Sequence, residues 1–301
     1  MSLVSIIIPA FDAGRFINRA LNGVLSQTHA GWELIVVEDG THDDTEALVR
    51  AFAARVTQSV RYENNGTNLG VSAARNRAMA LATGETIAFL DADDWWTPEH
   101  LSSGLETLER GAGFCFSGFH IFDEPSQTVM ESLTPGLPPG GDVVESLFKS
   151  NFIQTSSLVM LSRKAALNGG NFDTKLKVGE DCDYWMRVLA HGATPACTQK
   201  QTCYYTKHGA SAMAKTLMVA EHGVKFYRKH LQSDFLQKSL RGSLYARSLW
   251  IYGRLLQRQN PALARSLFLE AWRTRPMELR YLAYALAAAG LMLLRRDSSV
   301  P

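Results

Sequence analysis

Apolar and polar residues fall into blocks of two kinds along the first hundred positions. Residues 3–8 form a short, unbroken, β-rich apolar run, the pattern of a strand covered on both faces. Phe16, Ile17, Ala20, Leu21 and Leu25 then recur at helical spacing, in a helix over 14–25 that Asp12 is placed to cap. Residues 33–37 predict a second strand, and Thr41-His42-Asp43-Asp44 predicts a capping box opening a helix through Phe52. A short strand over 60–63 follows, then a helix capped by Ser72 and ending near Gly84. Residues 86–90 form another buried strand, and Thr97-Pro98-Glu99 starts a helix with proline at its first position. Strand–helix alternation of this kind predicts an α/β chain with a doubly wound, mostly parallel, Rossmann-like sheet. Ligands of such sheets bind beyond the carboxyl ends of the strands. That rule selects residues 9–12, 38–40 and 91–94, each acidic where an apolar run stops.

Beyond residue 110 the pattern loosens. Short strands are expected over 114–119 and 157–161, with a Pro/Gly-rich loop over 135–141 and a helix over 182–190 that closes at Gly192. Residues 216–296 read as helical throughout, broken at Asn260-Pro261, with 262–272 and 279–294 as the halves of a helical hairpin. The organisation expected is one large unit over 1–215, divided at 110/111, and a helical extension over 216–301.

Composition adds less. At 301 residues, 46% hydrophobic and 20% charged, the chain has the make-up of an ordinary globular protein. Its four cysteines form no CxxC pair, which argues against zinc and redox motifs and makes reduced thiols and a cytoplasmic location the default. The first apolar run has no basic leader and is too short to span a bilayer, so it reads as a strand rather than a targeting segment. Charge is uneven: residues 215–301 hold 15 Lys and Arg against 5 Asp and Glu, and the remainder holds 16 against 24. Such a tail either meets an anionic membrane surface, at the inner face, or docks on its own acidic body. Residues 281–294 are almost wholly apolar but too short to cross a membrane, which leaves packing within the tail first and interfacial contact second.

The strongest chemical signal is Asp91-Ala92-Asp93-Asp94. Three carboxylates this close repel one another unless a cation or hydrogen bonds neutralise them, and hard oxygen donors suit Mg²⁺ or Mn²⁺. The competing structural reading, that Asp93 or Asp94 caps the next helix, is weakened because Thr97 is available for that role.

Taken in order, Val4-Ser5-Ile6-Ile7-Ile8-Pro9-Ala10-Phe11, Glu38-Asp39-Gly40-Thr41, Asn68-Leu69-Gly70 with Ala74-Arg75-Asn76, and Leu90-Asp91-Ala92-Asp93-Asp94 resemble family 2 glycosyltransferases. The resemblance covers residues 1–100 and resumes at Gly179-Glu180-Asp181. It implies the GT-A fold, with a nucleotide-binding half over 1–110 and an acceptor half over 111–215. It implies that Pro9, Ala10 and Phe11 wall the nucleoside and that Asp39 bonds the base, favouring uracil or thymine. It implies that Arg75 lies at the pyrophosphate or stacks on the base. By the same likeness Asp91 and Ala92 lie near the ribose or metal, Asp93 ligates Mn²⁺ or Mg²⁺, and Asp181 is the general base of an inverting transfer. Two residues depart from the family pattern: Glu38 stands where aspartate is usual, and Asp12 where asparagine is common.

Other residues keep two readings. Asp181 and Asp183 also suit a helix's first turn by dipole complementarity, and Glu180 either touches the donor sugar or is solvated. His208, or Lys207, either completes the metal shell and binds phosphate or lies on the surface. Trp95, Trp96 and Trp185 either stack on a sugar or fill the core. The expected activity is transfer from a UDP- or dTDP-sugar to a glycan, lipid-linked or protein acceptor in cell-surface polysaccharide or glycoconjugate synthesis, with no nucleic acid involved. A nucleotidyltransferase would need an early Gly-rich loop, where residues 9–14 hold one glycine. A non-catalytic sugar- or partner-binding module that kept the fold is the remaining alternative.

Overall fold

The structure is a computed structural model that describes residues 2–41, 43–208 and 216–297, the side chains of the last five excepted. The chain divides into two compact units, residues 1–211 and 212–301.

The first unit is built on one sheet. β1 (Val4–Ala10), β2 (Trp32–Glu38), β3 (Val60–Asn64) and β4 (Thr86–Phe89) run parallel in the order β3-β2-β1-β4. Every residue of β1, β2 and β4 is buried, as their largely apolar runs require, and the polar Ser5 and Glu33 bond each other at 2.6 Å. α1 (Ile17–Leu25), α2 (Thr45–Ala53) and α3 (Val71–Leu81) connect these strands. After β5 (Trp95–Trp96) and α4 (His100–Glu109) come β6 (Phe114–Asp123), β7 (Thr128–Leu133), α5 (Val143–Lys149), β8 (Val159–Ser162), α6 (Arg163–Gly169), α7 (Glu180–Ala190) and β9 (Pro195–Lys207). The same sheet continues across them as β4-β8-β6-β9-β5, with β7 on β6. β8 is antiparallel to β4, and β6 antiparallel to β8. The predicted doubly wound, mostly parallel sheet is therefore present, and residues 1–110 and 111–207 share it rather than forming separate layers.

Helix starts differ from those expected, for local reasons. Asp12 does not cap α1: it sits at φ 48°, its N–H donates to Thr41 Oγ1 at 3.2 Å, and the helix begins at Ile17. Asp43 takes up the free amides instead, accepting from Gly14 N–H at 2.7 Å and Thr45 N–H at 3.0 Å. The predicted box thus resolves to one bridging carboxylate, with His42 outside the described residues. Ser72 lies inside α3, buried, and Gly70 occupies the cap position at φ 91°. Pro98 precedes α4, which starts at His100 once Thr97 and Glu99 carbonyls have accepted the first turn's amides.

The second unit comprises α8 (Thr216–Lys229), α9 (Lys238–Leu256), α10 (Pro261–Thr274) and α11 (Leu279–Asp297). Asn260 caps α10 by accepting from Leu263 N–H at 3.1 Å, with Pro261 at the first helical position. Tyr245, Leu249, Phe268, Tyr281 and Ala285 form its core. Tyr281 and Ala285 pack inward from α11, as the packing reading of the tail expected. No described helix is long and apolar enough to cross a membrane.

Candidate active site

The three strand ends singled out by the sheet rule meet at one edge. Pro9 and Ala10 end β1, Glu38 ends β2, and Asp91 follows β4 by two residues. Two adjoining cavities open there. One, about 240 Å³, is lined by Pro9, Ala10, Phe11, Asp39, Asn68, Gly70, Val71 and Ala74. The other, about 450 Å³, is lined among others by Pro9, Phe11, Arg75, Asp91, Ala92, Asp93 and His208. Pro9, Phe11 and Val71 belong to both, and Phe11 is 50% exposed, an apolar ring left open to a ligand. Together the cavities lie within the roughly 300–1,000 Å³ usual for small-molecule sites.

Asp39 is 3% exposed. Its Oδ1 accepts from Asn65 Nδ2 at 2.8 Å and Leu69 N–H at 3.0 Å, and its Oδ2 from Gly70 N–H at 2.6 Å. A carboxylate oxygen accepts twice, so Oδ2 retains room for one more donor. Gly40 makes this approach feasible: at φ 85°, an added Cβ would lie 2.3 Å from the Thr67 carbonyl carbon. Glu38 turns its longer side chain onto Thr41, whose hydroxyl donates to it, and burial raises its pKa against that bond.

In the acidic run the three aspartates have three different environments. Asp91 Oδ1 takes Arg75 Nη2 at 2.8 Å and its Oδ2 accepts from Thr155 Oγ1 at 3.1 Å. Asp94, 1% exposed, accepts from Ser157 Oγ at 2.6 Å, Thr155 Oγ1 at 2.9 Å and Thr206 N–H at 2.9 Å. Burial, then Asp93 and Asp91, push its carboxyl well above the usual range. It neither caps a helix nor lines either of these cavities. Asp93, with a side chain 36% exposed, holds His208 Nε2 at 2.8 Å. That bond raises the His208 pKa, and Phe16 stacks on the imidazole at 4.9 Å.

These donors bear on the expected metal. Among the described residues, no three His, Cys, Asp or Glu side chains converge as a ready ligand set. Mg²⁺ and Mn²⁺, however, usually take one or two carboxylates and complete their shell with water and substrate phosphate. Asp93 beside His208, at the mouth of a cavity, fits that lesser demand. His208 Nδ1 is buried with no hydrogen-bond partner among the described residues. Asp91, expected as a second ligand, lines the same cavity and has one protein partner on each oxygen, so each keeps room for one more.

Arg75 is 3% exposed and joins the two acidic segments. Its Nη1 lies 2.9 Å from Glu180 Oε1, and its Nη2 lies on Asp91. Burial opposes the charge, but Asp91 and Glu180 outweigh it and raise its pKa. Asp181 follows Glu180 at the start of α7, behind Gly179 in the left-handed region at φ 79°. It lines neither cavity. Its Oδ1 accepts from Cys182 N–H at 2.6 Å, and among the described residues it forms no ion pair. Burial, then Glu180, raise its pKa to about 7 against the pull of Arg75. Asp183 is different: it is fully buried and paired with Arg187 at 2.9 Å. Trp96 and Trp185 are core residues, while Trp95 stacks on Tyr204 at 4.7 Å.

Thr155 and Ser157 were not singled out in the sequence, although Thr155-Ser156-Ser157, a polar triplet before an apolar strand, is a visible signal. The amides of Leu69 and Gly70 lay inside a quoted motif without an assigned role.

A family model for glycosyl transferase family 2 matches residues 5–169. The glycosyl transferase WcaA of Escherichia coli strain K12, named for colanic acid biosynthesis, is 30% identical over 233 residues, 76% of this chain and 81% of the relative. WfaP of Escherichia coli, named as a UDP-Glc:α-D-GlcNAc-diphosphoundecaprenol β-1,3-glucosyltransferase, is 28% identical over 215 residues, 71% of this chain and 81% of the relative. Among solved structures, S. aureus TarS 1–349 in complex with UDP-GlcNAc superposes with a TM-score of 0.69 at 18% identity, covering 96% of this chain and 89% of that one. The mannosyltransferase PcManGT of Pyrobaculum calidifontis, with GDP-Man and Mn²⁺, superposes at 0.61 and 18% identity, covering 96% and 84%. At such identities these two structures establish the shared fold alone.

Proposed function

The chain belongs to glycosyl transferase family 2, with the GT-A fold, and from that premise we propose the particular reaction of this glycosyltransferase. It moves a sugar from a UDP- or dTDP-sugar, with inversion and with a divalent cation bound, to a glycan, lipid-linked or protein acceptor. The product belongs to cell-surface polysaccharide or glycoconjugate synthesis. The observation that carries the reading is one edge of one sheet: an open Phe11 ring and the Asp39 carboxylate adjoin a cavity walled by Arg75, Asp91, Asp93 and His208. The chemistry in the names of WcaA and WfaP supports the polysaccharide and lipid-linked settings.

In this reading the base lies between Pro9, Ala10 and Phe11 and gives its imide N–H to the spare lone pair of Asp39 Oδ2. A cytosine, which lacks that N–H, is disfavoured. The diphosphate extends toward Asp93 and His208. Mn²⁺ or Mg²⁺, when bound there, supplies Lewis-acid stabilisation of the departing diphosphate. Arg75 holds Asp91 and Glu180 in register, so the donor side and the start of α7 keep one geometry. Asp181, with its pKa raised to about 7 by burial and Glu180, takes the proton of the acceptor hydroxyl as that oxygen attacks the anomeric carbon. One displacement inverts the centre and needs one base and no enzyme nucleophile.

The helical unit carries a second part of the proposal: contact with an anionic membrane from the cytoplasmic side. Leu279, Ala283, Leu286, Ala287 and Gly290 are exposed along one stripe of α11, with Arg280 at its border, in a segment rich in Lys and Arg. An apolar stripe with a cationic surround is the pattern of an interfacial helix.

Calorimetric titration of UDP, dTDP and GDP, each with and without Mn²⁺, tests the donor reading. Metal-dependent binding of UDP or dTDP is expected. A folded sample that binds none of the three would leave the chain as a module that kept only the fold.

A further inference from the structure

A third cavity, about 320 Å³, lies in the acceptor half, between the middle of β6, the end of β7 and the segment after α5. Its open aromatic face is that of half-buried Phe152, Phe119 being only 1% exposed, and Thr134, Ser150, Asn151 and Gln154 supply its polar atoms. No lining residue carries a charge. The Asn151 side-chain oxygen accepts from Ile153 N–H at 3.1 Å, which leaves the amide nitrogen without a partner among the described residues. Gln154 and Ser150 are exposed, and their side chains likewise hold no protein partner among the described residues. An aromatic face with free amides and hydroxyls, and no ion, matches a sugar ring, which offers C–H faces and hydroxyls but no charge.

Topology sets this cavity at the reacting edge. β8 runs antiparallel to β4, and β6 antiparallel to β8, with Phe116 opposite Val159 at the start of β8. Beyond Phe116, β6 therefore runs past the end of β4 where Asp91 lies, and Phe119 is on that overhang. The segment 150–154 is pinned at both ends to the site. On its far side, Thr155 Oγ1 lies 3.1 Å from Asp91 Oδ2 and 2.9 Å from Asp94 Oδ2, with its one proton shared between them. On its near side, Leu147 in α5 accepts from Cys182 Sγ at 3.5 Å, and Cys182 adjoins Asp181. A ring held against Phe152 and Asn151 is thus held by a strap that ends on the acidic run in one direction and on α7 beside Asp181 in the other.

We propose that this cavity is an acceptor subsite selective for an uncharged sugar ring. The proposal rests on the transferase reading, whose own readout is kept separate in the test. Saturation-transfer NMR on the full chain, with UDP and Mn²⁺ present, would use methyl β-glucoside, methyl β-galactoside and the methyl glycoside of N-acetylglucosamine as probes. The methyl glycoside of glucuronic acid is the charged comparison. At least one neutral glycoside is expected to give signal, reduced at least fivefold in both Phe152→Ala and Gln154→Ala, with the glucuronide silent. UDP affinity of each variant, measured by calorimetry, reports folding and the donor site. Neutral signals that persist in both folded variants, a glucuronide that binds as well as the neutral sugars, or no glycoside signal from the folded wild type would each overturn the subsite. Failure of UDP binding alongside variant-sensitive glycoside signals would instead sink the donor reading and leave the subsite standing.

Discussion

Arg75 and Glu180, 105 residues apart in the chain, meet at 2.9 Å in the protein interior, and the same guanidinium holds Asp91 at 2.8 Å. One buried cation thus ties the end of β4 to the start of α7. Removing it leaves two carboxylates facing a buried void with no counter-charge, a loss typically worth about 3–5 kcal/mol. Arg75→Ala is expected to lose that much stability in urea unfolding, and with it transfer activity. Arg75→Lys keeps the charge but cannot fork to both acids. It should recover part of the stability and little of the activity. An Arg75→Ala protein as stable as wild type would show that the tie carries no weight.

Asp181 is expected to set the pH profile. Its pKa of about 7 predicts that kcat/KM falls roughly tenfold for each pH unit below 7 and levels above it. The linkage to stability has the opposite sense. A carboxyl whose pKa is higher folded than unfolded stabilises the fold while protonated. That contribution is complete below about pH 4, the unfolded value, and is lost as pH rises through about 7. Asp181→Asn should keep UDP affinity, lose about 10²–10⁴-fold in transfer and flatten both profiles. Normal turnover in this variant would remove Asp181 from the base role. Asp183 would not be the natural replacement, because Arg187 already engages its buried carboxylate.

Asp93 and Asp94 should separate by readout. Asp93→Ala removes the exposed carboxylate beside His208 and is expected to abolish the Mn²⁺ dependence of UDP binding without a large change in melting temperature. Asp94→Ala strips the acceptor from two hydroxyls and the Thr206 amide, and should cost about 1–3 kcal/mol of stability. Calorimetry of the first and thermal unfolding of the second check the division. Metal-dependent UDP binding retained by Asp93→Ala would move the ligand elsewhere.

The difference between those two neighbours was not legible in the sequence, where 91–94 reads as one acidic cluster. What was legible was position. Largely apolar runs at β1, β2 and β4 give a parallel sheet, and a parallel sheet gathers the residues that follow its strands. Orientation was hidden because it depends on residues distant in the chain: Thr155, Ser157 and Thr206 turn Asp94 inward, while Arg75 and Thr155 hold Asp91 at the cavity wall. Helix starts were misread for the same reason. Asp43 caps Gly14 across 29 positions, a pairing no local capping rule contains, and it leaves Asp12 without the role its place in sequence suggested.

The α11 stripe gives the tail a test independent of chemistry. Leu279 is 69% and Leu286 65% exposed, seven residues apart and therefore nearly in line on the helix. Burying an exposed leucine in an acyl boundary is worth about 1.5–3 kcal/mol, so two contribute enough to dominate a partition equilibrium. The double variant Leu279→Glu/Leu286→Glu also sets two anions against an anionic surface. It is expected to weaken sedimentation with phosphatidylglycerol vesicles by more than about tenfold, since each 1.4 kcal/mol is one decade. Salt should weaken the wild type too, through the Lys and Arg surround, whereas neutral phosphatidylcholine vesicles should bind it poorly at any salt. UDP binding should be untouched by the double variant, because the two cavities proposed for the nucleotide are lined wholly by residues of the first unit. Equal vesicle binding by wild type and variant would remove the stripe from the contact. Loss of UDP binding would mean that the substitutions reach beyond the helical unit.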